Sequence, residues 1–182
     1  MRIIAGIWRG RRLLTAEGRM IRPTSDRARE ALFSILEHGA PALHGARFLD
    51  LFCGTGAVGL EAASRGAAEV LLIDDDALAL RLARANLEQL GMPANVRLAM
   101  RDATRLGPSS EPYDLVFLDP PYRSGLGTRA LAALQHGWLA AGARVVVETE
   151  AKQPLDLPSG YTLEQERRYG AARFAFLRRI AG

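Results

Sequence analysis

The sequence predicts an α/β protein built on a Rossmann-like, doubly wound and mostly parallel sheet of seven strands. Three observations support this prediction. Short apolar runs alternate with amphipathic helical stretches from residue 47 to residue 147. The runs are apolar at consecutive positions, as in strands of a parallel sheet that helices cover on both faces. After residue 147 the alternation stops, and two strand-like segments joined by a short turn predict a C-terminal antiparallel β-hairpin.

An arm and a helix precede the predicted sheet. Ile3–Leu14 alternates loosely, with two glycines as breaks, and predicts a short β-hairpin or an extended arm. Pro23–Asp26 supplies turn and cap chemistry before Arg27–Glu37, where apolar residues recur at helical spacing. We therefore expect two parts, a basic arm and helix over residues 1–44 and a main domain over residues 45–182.

The predicted strands and helices of the main domain alternate along the chain. The strands are Phe48–Phe52, Val70–Ile73, Val96–Met100, Leu115–Leu118 and Val145–Val147, and the closing hairpin is Thr162–Tyr169 with Ala172–Ile180. The helices between them are Val58–Arg65, Ala77–Leu90 and Gly127–Leu139. This order forms successive βαβ-type units, whose parallel strands end at one edge of the sheet.

Composition is typical of a globular protein without disulfides. The chain has 182 residues, 48% hydrophobic and 24% charged, and Cys53 is its one cysteine. A single cysteine excludes an intramolecular disulfide and a cysteine-built zinc site, and the three histidines show no metal spacing. No apolar stretch approaches the ~20 residues of a membrane helix, and no secretory signal is recognisable. We expect a cytoplasmic monomer with no metal and no membrane partner.

Positive charge is concentrated at the N-terminus. The formal net charge is +4, but residues 1–29 contribute +6 and the remainder contributes −2. A basic arm ahead of a mildly acidic body suits contact with a polyanion, and a solvated arm in an arginine-rich sequence is the alternative. Trp8 can stack on an unpaired base or pack on the body. The candidate RNA-binding residues are Trp8, Arg9, Arg11, Arg12, Arg22 and Arg27.

A glycine loop follows the first predicted strand. Gly54, Gly56 and Gly59 match G-x-G-x-x-G, in which a tight turn lets a ligand approach the backbone at a helix N-terminus. A glycine turn that only packs strand against helix fits the same spacing. Asp50, inside the end of the apolar run, needs a donor partner, either loop N–H groups or the ammonium group of a ligand. A pyrophosphate would be repelled there.

Acidic residues also follow the second and third predicted strands. Asp74 lies 20 residues past Gly54, where a carboxylate can accept both hydroxyls of a ribose. Asp75 or Asp76 can instead cap the next helix, so Asp74 is the preferred ribose ligand. Asp102 can accept from an adenine amino group, and a solvated loop aspartate is an equally simple interpretation.

The motif Asp119-Pro120-Pro121-Tyr122 closes the fourth predicted strand and is the most specific in the chain. Two prolines hold the backbone rigid and remove two N–H donors, so carbonyl groups and the Asp119 carboxylate remain as acceptors. Such a site suits an exocyclic amino group, and Tyr122 supplies a ring for a base that has left its stack. The alternative is that Pro-Pro only ends the strand and Tyr122 packs on the surface.

Together these motifs resemble those of class I S-adenosylmethionine-dependent methyltransferases. D-P-P-Y resembles the [NSD]-P-P-[YFW] signature of enzymes that methylate exocyclic amino nitrogens. The N-terminal run Arg2–Leu13, followed by Ile21–Phe33, is similar to the bacterial 16S rRNA guanine-N2 methyltransferases, the small-subunit methyltransferase D family. The resemblance covers the whole chain. Its departures are small, since D-P-P-Y replaces the D-P-P-F of some members and arginine is used almost everywhere in place of lysine.

The resemblance implies a cofactor, a partner and a role for each motif. The cofactor would be S-adenosylmethionine, and the partner would be 16S rRNA in the small ribosomal subunit or its assembly intermediate. The implied cofactor-binding residues are Thr24, Asp50, Phe52, Cys53, Gly54, Thr55, Gly56, Asp74, Asp75, Asp102, Ala103 and Asp119. The implied catalytic residues are Asp119, Pro120, Pro121 and Tyr122. Asp119 and the Pro120 carbonyl would accept from guanine N2, with Tyr122 stacked on the base.

Three other functions compete with this one. A nicotinamide-dependent dehydrogenase would use the glycine loop and Asp74, but Asp50 stands where its pyrophosphate would lie, and the chain leaves no room for a catalytic domain. An adenine-N6 methyltransferase shares D-P-P-Y, and only the N-terminal resemblance separates it from a guanine-N2 enzyme. A non-catalytic RNA-binding module with a methyltransferase fold would not need all of these motifs.

Overall fold

A seven-stranded mixed sheet and four helices form the described part of the chain, in a computed structural model that describes residues 1–15, 25–121, 125–152 and 154–180. In chain order the elements are α1 (Asp26–Glu37), β1 (Arg47–Leu51), α2 (Ala57–Ser64), β2 (Glu69–Asp74), α3 (Ala77–Gln89), β3 (Val96–Met100), β4 (Tyr113–Leu118), α4 (Leu126–Leu134), β5 (Leu139–Glu150), β6 (Tyr161–Tyr169) and β7 (Ala172–Arg179). The sheet order is β3-β2-β1-β4-β5-β7-β6. The predicted fold class is confirmed.

The pairing of the strands explains the hydrophobic pattern. β1 to β5 are parallel, and β7 lies antiparallel between β5 and β6. Phe48 and Leu49 are consecutive in β1, both are fully buried, and they belong to hydrophobic cores on opposite faces of the sheet. Consecutive apolar residues therefore mark a strand covered on both faces. No helix within the described ranges has the length and apolar character needed to cross a membrane.

The largest error of sequence prediction concerns the end of α4. The sequence predicts a helix over Gly127–Leu139, whereas α4 ends at Leu134 and β5 begins at Leu139, so β5 is far longer than the predicted run. Gly137 explains the early end, because its φ is +87° and a Cβ there would lie 2.0 Å from the Ser109 carbonyl oxygen. The apolar residues after Gly137 continue a helical pattern but open a strand.

The N-terminal arm folds as a hairpin, which is one of the two forms the sequence allows. The amide of Ile3 donates to the Arg11 carbonyl at 2.9 Å, and the amide of Leu13 donates to the Met1 carbonyl at 3.0 Å. Ile3 and Leu13 are buried in the same core as residues of α1 and α2. The division of the chain at residue 45 stays a prediction.

Candidate active site

The carboxyl ends of the parallel strands meet at one edge of the sheet, here called the carboxyl edge. β1 lies between β2 and β4. The chain builds the sheet from β1 through β2 to β3 in one direction and then from β4 onward in the other, so the switch point is between β1 and β4. Open α/β sheets bind ligands at this topological switch point. Asp50 and Asp74 lie near the ends of β1 and β2, while Asp102 and Asp119 follow β3 and β4. The structure thus brings four predicted acidic residues to one edge.

The glycine loop between β1 and α2 is built on left-handed backbone. Phe52, Gly54 and Gly56 have φ values of +59°, +56° and +78°. The amide of Cys53 donates to the Ile73 carbonyl at 3.0 Å, which ties the loop to the end of β2. A Cβ on Gly54 would meet nothing within 4 Å. A ligand can therefore approach the backbone at Gly54.

The third glycine of the motif serves packing instead. A Cβ on Gly59 would lie 2.1 Å from Leu72 Cδ2, so a side chain there would force α2 away from β2. The amide of Gly59 also donates to Asp50 Oδ2 at 2.8 Å. The packing interpretation of the motif therefore describes Gly59, while Gly54 has the open space that a ligand would need.

Asp50 is 1% exposed, and the donor that its carboxylate requires is a backbone N–H of α2. Burial raises the pKa of the Asp50 carboxyl to about 7, the hydrogen bond from Gly59 opposes this rise, and nearby Asp74 adds to it. Burial also raises the pKa of the Cys53 thiol well above its usual range. A buried, protonated thiol is a poor nucleophile.

Asp74 joins the glycine loop to the start of α3. Its Oδ2 accepts from the Gly54 amide at 2.8 Å, and its Oδ1 accepts from the Asp76 amide at 2.9 Å. Asp76 is the N-cap of α3 and accepts from the Leu78 amide at 2.8 Å. The capping alternative therefore applies to Asp76, while Asp75 is exposed. Each oxygen of Asp74 has a second lone pair and can still accept a hydroxyl.

Asp102 forms a turn at the end of β3. Its Oδ1 accepts from the Thr104 amide at 2.8 Å and from Thr104 Oγ1 at 2.7 Å. Both hydrogen bonds lower the pKa of the Asp102 carboxyl, and the bond from the Thr104 hydroxyl has the larger effect. Ala103 is buried beneath the turn. The turn therefore fixes the Asp102 carboxylate as an acceptor next to buried Ala103.

Asp119 and Pro120 end β4 at the switch point. The amide of Asp119 donates to the Leu51 carbonyl at 3.3 Å, which places Asp119 beside the start of the glycine loop. Burial raises the pKa of the Asp119 carboxyl well above its usual range, and Glu148 and Asp50 add to the rise. Glu148 is 2% exposed in β5 and follows Val147, the register partner of the last residue of β4. Two strands thus place acidic side chains next to each other.

Some predicted site residues lie outside the described residues, namely Thr24, Arg22 and Tyr122. Pro120 is buried and Pro121 is exposed. Within the described ranges, no three His, Cys, Asp or Glu side chains are grouped so that they could hold a metal ion.

The tip of the N-terminal arm lies at the opposite end of α2 from the glycine loop. Ser64, the last residue of α2, accepts from the Trp8 amide at its hydroxyl (3.0 Å) and from the Ile7 amide at its carbonyl (2.9 Å). An eight-residue helix is about 12 Å long, so Trp8 is not brought to the carboxyl edge. Trp8 is partly buried against the core. The predicted arginines that lie exposed are Arg9, Arg11, Arg12 and, on α1, Arg27.

Three buried polar residues near these regions were missed by sequence reasoning. Glu148 supplies a further acid at the carboxyl edge, and Glu61 and Asn86 fasten the arm. Glu61 accepts from the Ile4 amide at 2.7 Å and from the Ala5 amide at 3.0 Å. Polar residues at positions where a strand or helix should be apolar were the available signal.

The fold is that of a class of enzymes with many solved members. A ribosomal protein L11 methylase from Lactobacillus delbrueckii superposes with a TM-score of 0.68 at 16% identity, covering 85% of this chain and 78% of the other. An Escherichia coli protein of solved structure, yhhF, superposes with a TM-score of 0.85 at 38% identity, covering 100% and 99% of the two chains. The sheet with its closing hairpin and the glycine loop at the switch point form the Rossmann-like methyltransferase fold.

Sequence comparison identifies the family within this class. The family described as Conserved hypothetical protein 95 matches residues 1–178. The ribosomal RNA small subunit methyltransferase D of Escherichia coli is 39% identical over 184 residues, covering 100% of this chain and 91% of its own. The enzyme of that name from Haemophilus influenzae is 35% identical, covering 96% and 91%. The chain belongs to this methyltransferase family.

Proposed function

We propose that the chain transfers a methyl group from S-adenosylmethionine to the exocyclic N2 of a guanine in 16S rRNA of the small ribosomal subunit. The observation that supports this most is Asp119-Pro120-Pro121 at the end of β4, beside the glycine loop at the switch point. The relatives' names point to small-subunit ribosomal RNA as the substrate. The N-terminal resemblance points to guanine N2.

The groups at the carboxyl edge fit S-adenosylmethionine. Asp50 and the loop backbone at Gly54, where space is open, would hold the methionine part. Asp74 would accept from the ribose, and Asp102 with Ala103 would hold the adenine. When bound, the cofactor supplies an electrophilic methyl group on a sulfonium.

Positioning of the base is the main task of the Asp119 motif. The guanine N2 lone pair is delocalised into the ring, so acceptors that rotate the amino group out of conjugation make it more nucleophilic. Asp119 and the Pro120 carbonyl are such acceptors, because the two prolines offer no competing N–H donor. Holding two reactants in contact can contribute about 7 to 11 kcal/mol toward lowering the barrier.

The raised pKa of Asp119 suits proton removal from the amino group. A partly buried carboxylate among other acids is a stronger base than an isolated, exposed one, so it accepts the N2 proton more readily. Asp119 must be ionised for this role. The rate of methyl transfer should therefore rise with pH as Asp119 loses its proton.

Mass spectrometry of nuclease digests of 16S rRNA tests the proposal. Ribosomal RNA from cells that lack the protein should lose one N2-methylguanosine, and expression of the protein should restore it. Loss of an N6-methyladenosine would assign the protein to the adenine enzymes. Unchanged modification would favour a non-catalytic RNA-binding role. Incubation of the purified protein with naked 16S rRNA or with small subunits identifies the accepted substrate.

A further inference from the structure

Asn86 connects the N-terminal arm to the glycine loop. It lies on α3 and is fully buried. Its Oδ1 accepts from the Leu14 amide at 2.6 Å, and its Nδ2 donates to the Leu14 carbonyl at 3.2 Å. The same Nδ2 donates to the Thr55 carbonyl at 3.0 Å. One side chain therefore bonds the end of the arm and the middle of the loop.

The side-chain amide of Asn86 has a partner for each of its polar groups. A side-chain amide has one carbonyl oxygen and two N–H groups, and all three are used here. The other buried residues of α3 are Ala79, Ala83 and Leu87, so Asn86 is the polar member of an otherwise apolar face. Removing a buried partner leaves the bonded groups unsatisfied, so these hydrogen bonds hold both segments in place.

Both bonded segments lead to functional regions. Thr55 lies between Gly54 and Gly56, and the Gly54 amide bonds Asp74. Leu14 ends the hairpin that presents the exposed arginines, and the chain then continues toward Thr24. The remainder of the arm is fastened to α2 through Glu61 and Ser64, away from the loop. Asn86 is therefore where the arm is tied to the proposed cofactor site.

We propose that Asn86 is a positioning residue that couples RNA bound by the arm to cofactor bound by the glycine loop. This inference rests on the proposed function. A cofactor that further restricts the motion of the Thr55 carbonyl also restricts Asn86 and Leu14, so less motion remains to be lost when RNA binds. By thermodynamic reciprocity, RNA strengthens cofactor binding by the same factor.

The test is the affinity for a fragment of 16S rRNA with and without saturating S-adenosylhomocysteine. In the wild-type protein we expect the product cofactor to tighten RNA binding about 5-fold or more. Asn86→Ala should reduce this factor to nearly one. Asn95→Ala is the control, because it removes a 3.2 Å side-chain hydrogen bond to the Ala67 carbonyl, a residue that belongs to neither the arm nor the glycine loop. It should keep the wild-type factor.

A second pair of variants weakens the link from the side of the arm and leaves the Asn86 side chain in place. Leu14→Pro removes the N–H that Asn86 Oδ1 accepts, whereas Leu14→Ala removes the same partly exposed side chain and keeps the N–H. Leu14→Pro should reduce the coupling factor, because the bond from Asn86 Nδ2 to the carbonyl of residue 14 remains, and Leu14→Ala should retain the wild-type factor. Neither should change the affinity for S-adenosylhomocysteine alone by more than a few-fold.

The outcomes separate this inference from the proposed function. A wild-type protein that binds both ligands independently overturns the coupling and leaves the proposed function standing. Coupling of full wild-type strength in folded Asn86→Ala or in Leu14→Pro overturns the role of Asn86. A wild-type protein that binds neither S-adenosylhomocysteine nor RNA contradicts the proposed function itself.

Discussion

Asp50 and Glu61 are both buried, and both accept backbone N–H groups, yet their surroundings are opposite. Asp50 lies at the carboxyl edge. The charged neighbours that shift its pKa and that of Asp119 are other acids. Glu61 lies in α2 against the arm, where Arg65 Nε approaches its carboxylate to 2.7 Å. A buried acid paired with a cation indicates a structural joint, whereas acids gathered together indicate a functional site.

The largest expected effect concerns the carboxyl edge. Asp119→Ala should lower the rate of methyl transfer by about 10²- to 10⁴-fold, because it removes both an acceptor for the amino group and a base. The affinity for S-adenosylhomocysteine should stay within a few-fold, since the main groups proposed to hold the cofactor belong to the glycine loop and to the ends of β1, β2 and β3. Single-turnover methylation and calorimetry measure the two quantities. A variant with a near wild-type rate would reduce the motif to a strand terminator.

The two buried acids should respond to substitution with opposite signs at pH 8. The pKa of Asp50 is raised to about 7 in the folded protein, so the folded state favours the protonated carboxyl. The stability that this preference contributes at acid pH is lost as pH rises through that value. Asp50→Asn should therefore raise the free energy of unfolding at pH 8, relative to the wild type, by up to about 4 kcal/mol.

Glu61→Gln should lower the same free energy by up to about 3 kcal/mol, because it removes the more buried of the two carboxylates that pair with Arg65, the other being that of Glu37. Urea unfolding at pH 4 and pH 8 measures both effects. If both variants changed the free energy of unfolding in the same direction at pH 8, the distinction between the two acids would be wrong.

The arm should affect RNA binding and leave the cofactor site unchanged. Replacing Arg9, Arg11 and Arg12 together with glutamine should reduce the slope of log K against log salt for RNA by about 2 to 3. The three side chains are exposed and lie outside the cofactor motifs, so cofactor affinity should not change. If the slope is unchanged, the exposed Arg167 and Arg168 of the closing hairpin become the next candidates.

Sequence patterns predicted the fold well wherever periodicity and burial agree. β1, β2 and β4 are apolar at consecutive positions because both faces are covered. The end of α4 was mispredicted because the contact that decides it, between Gly137 and Ser109, joins distant parts of the chain.

The candidate site follows the same rule. Asp74 and Asp119 could be predicted from local motifs that end a strand. Glu148 and Asn86 stand out in the sequence only as polar residues at expected apolar positions, and their roles depend on which strand or loop the fold places beside them.

Calorimetry with S-adenosylhomocysteine and with NAD tests most directly the claim that the carboxyl edge is a methyl-donor site. The acids at 50 and 74 suit an ammonium group and a ribose, and Asp50 disfavours a pyrophosphate. We predict binding of S-adenosylhomocysteine, its weakening in Asp74→Ala, and no heat on addition of NAD. Micromolar binding of NAD with no response to S-adenosylhomocysteine would contradict a methyl-donor site at the carboxyl edge.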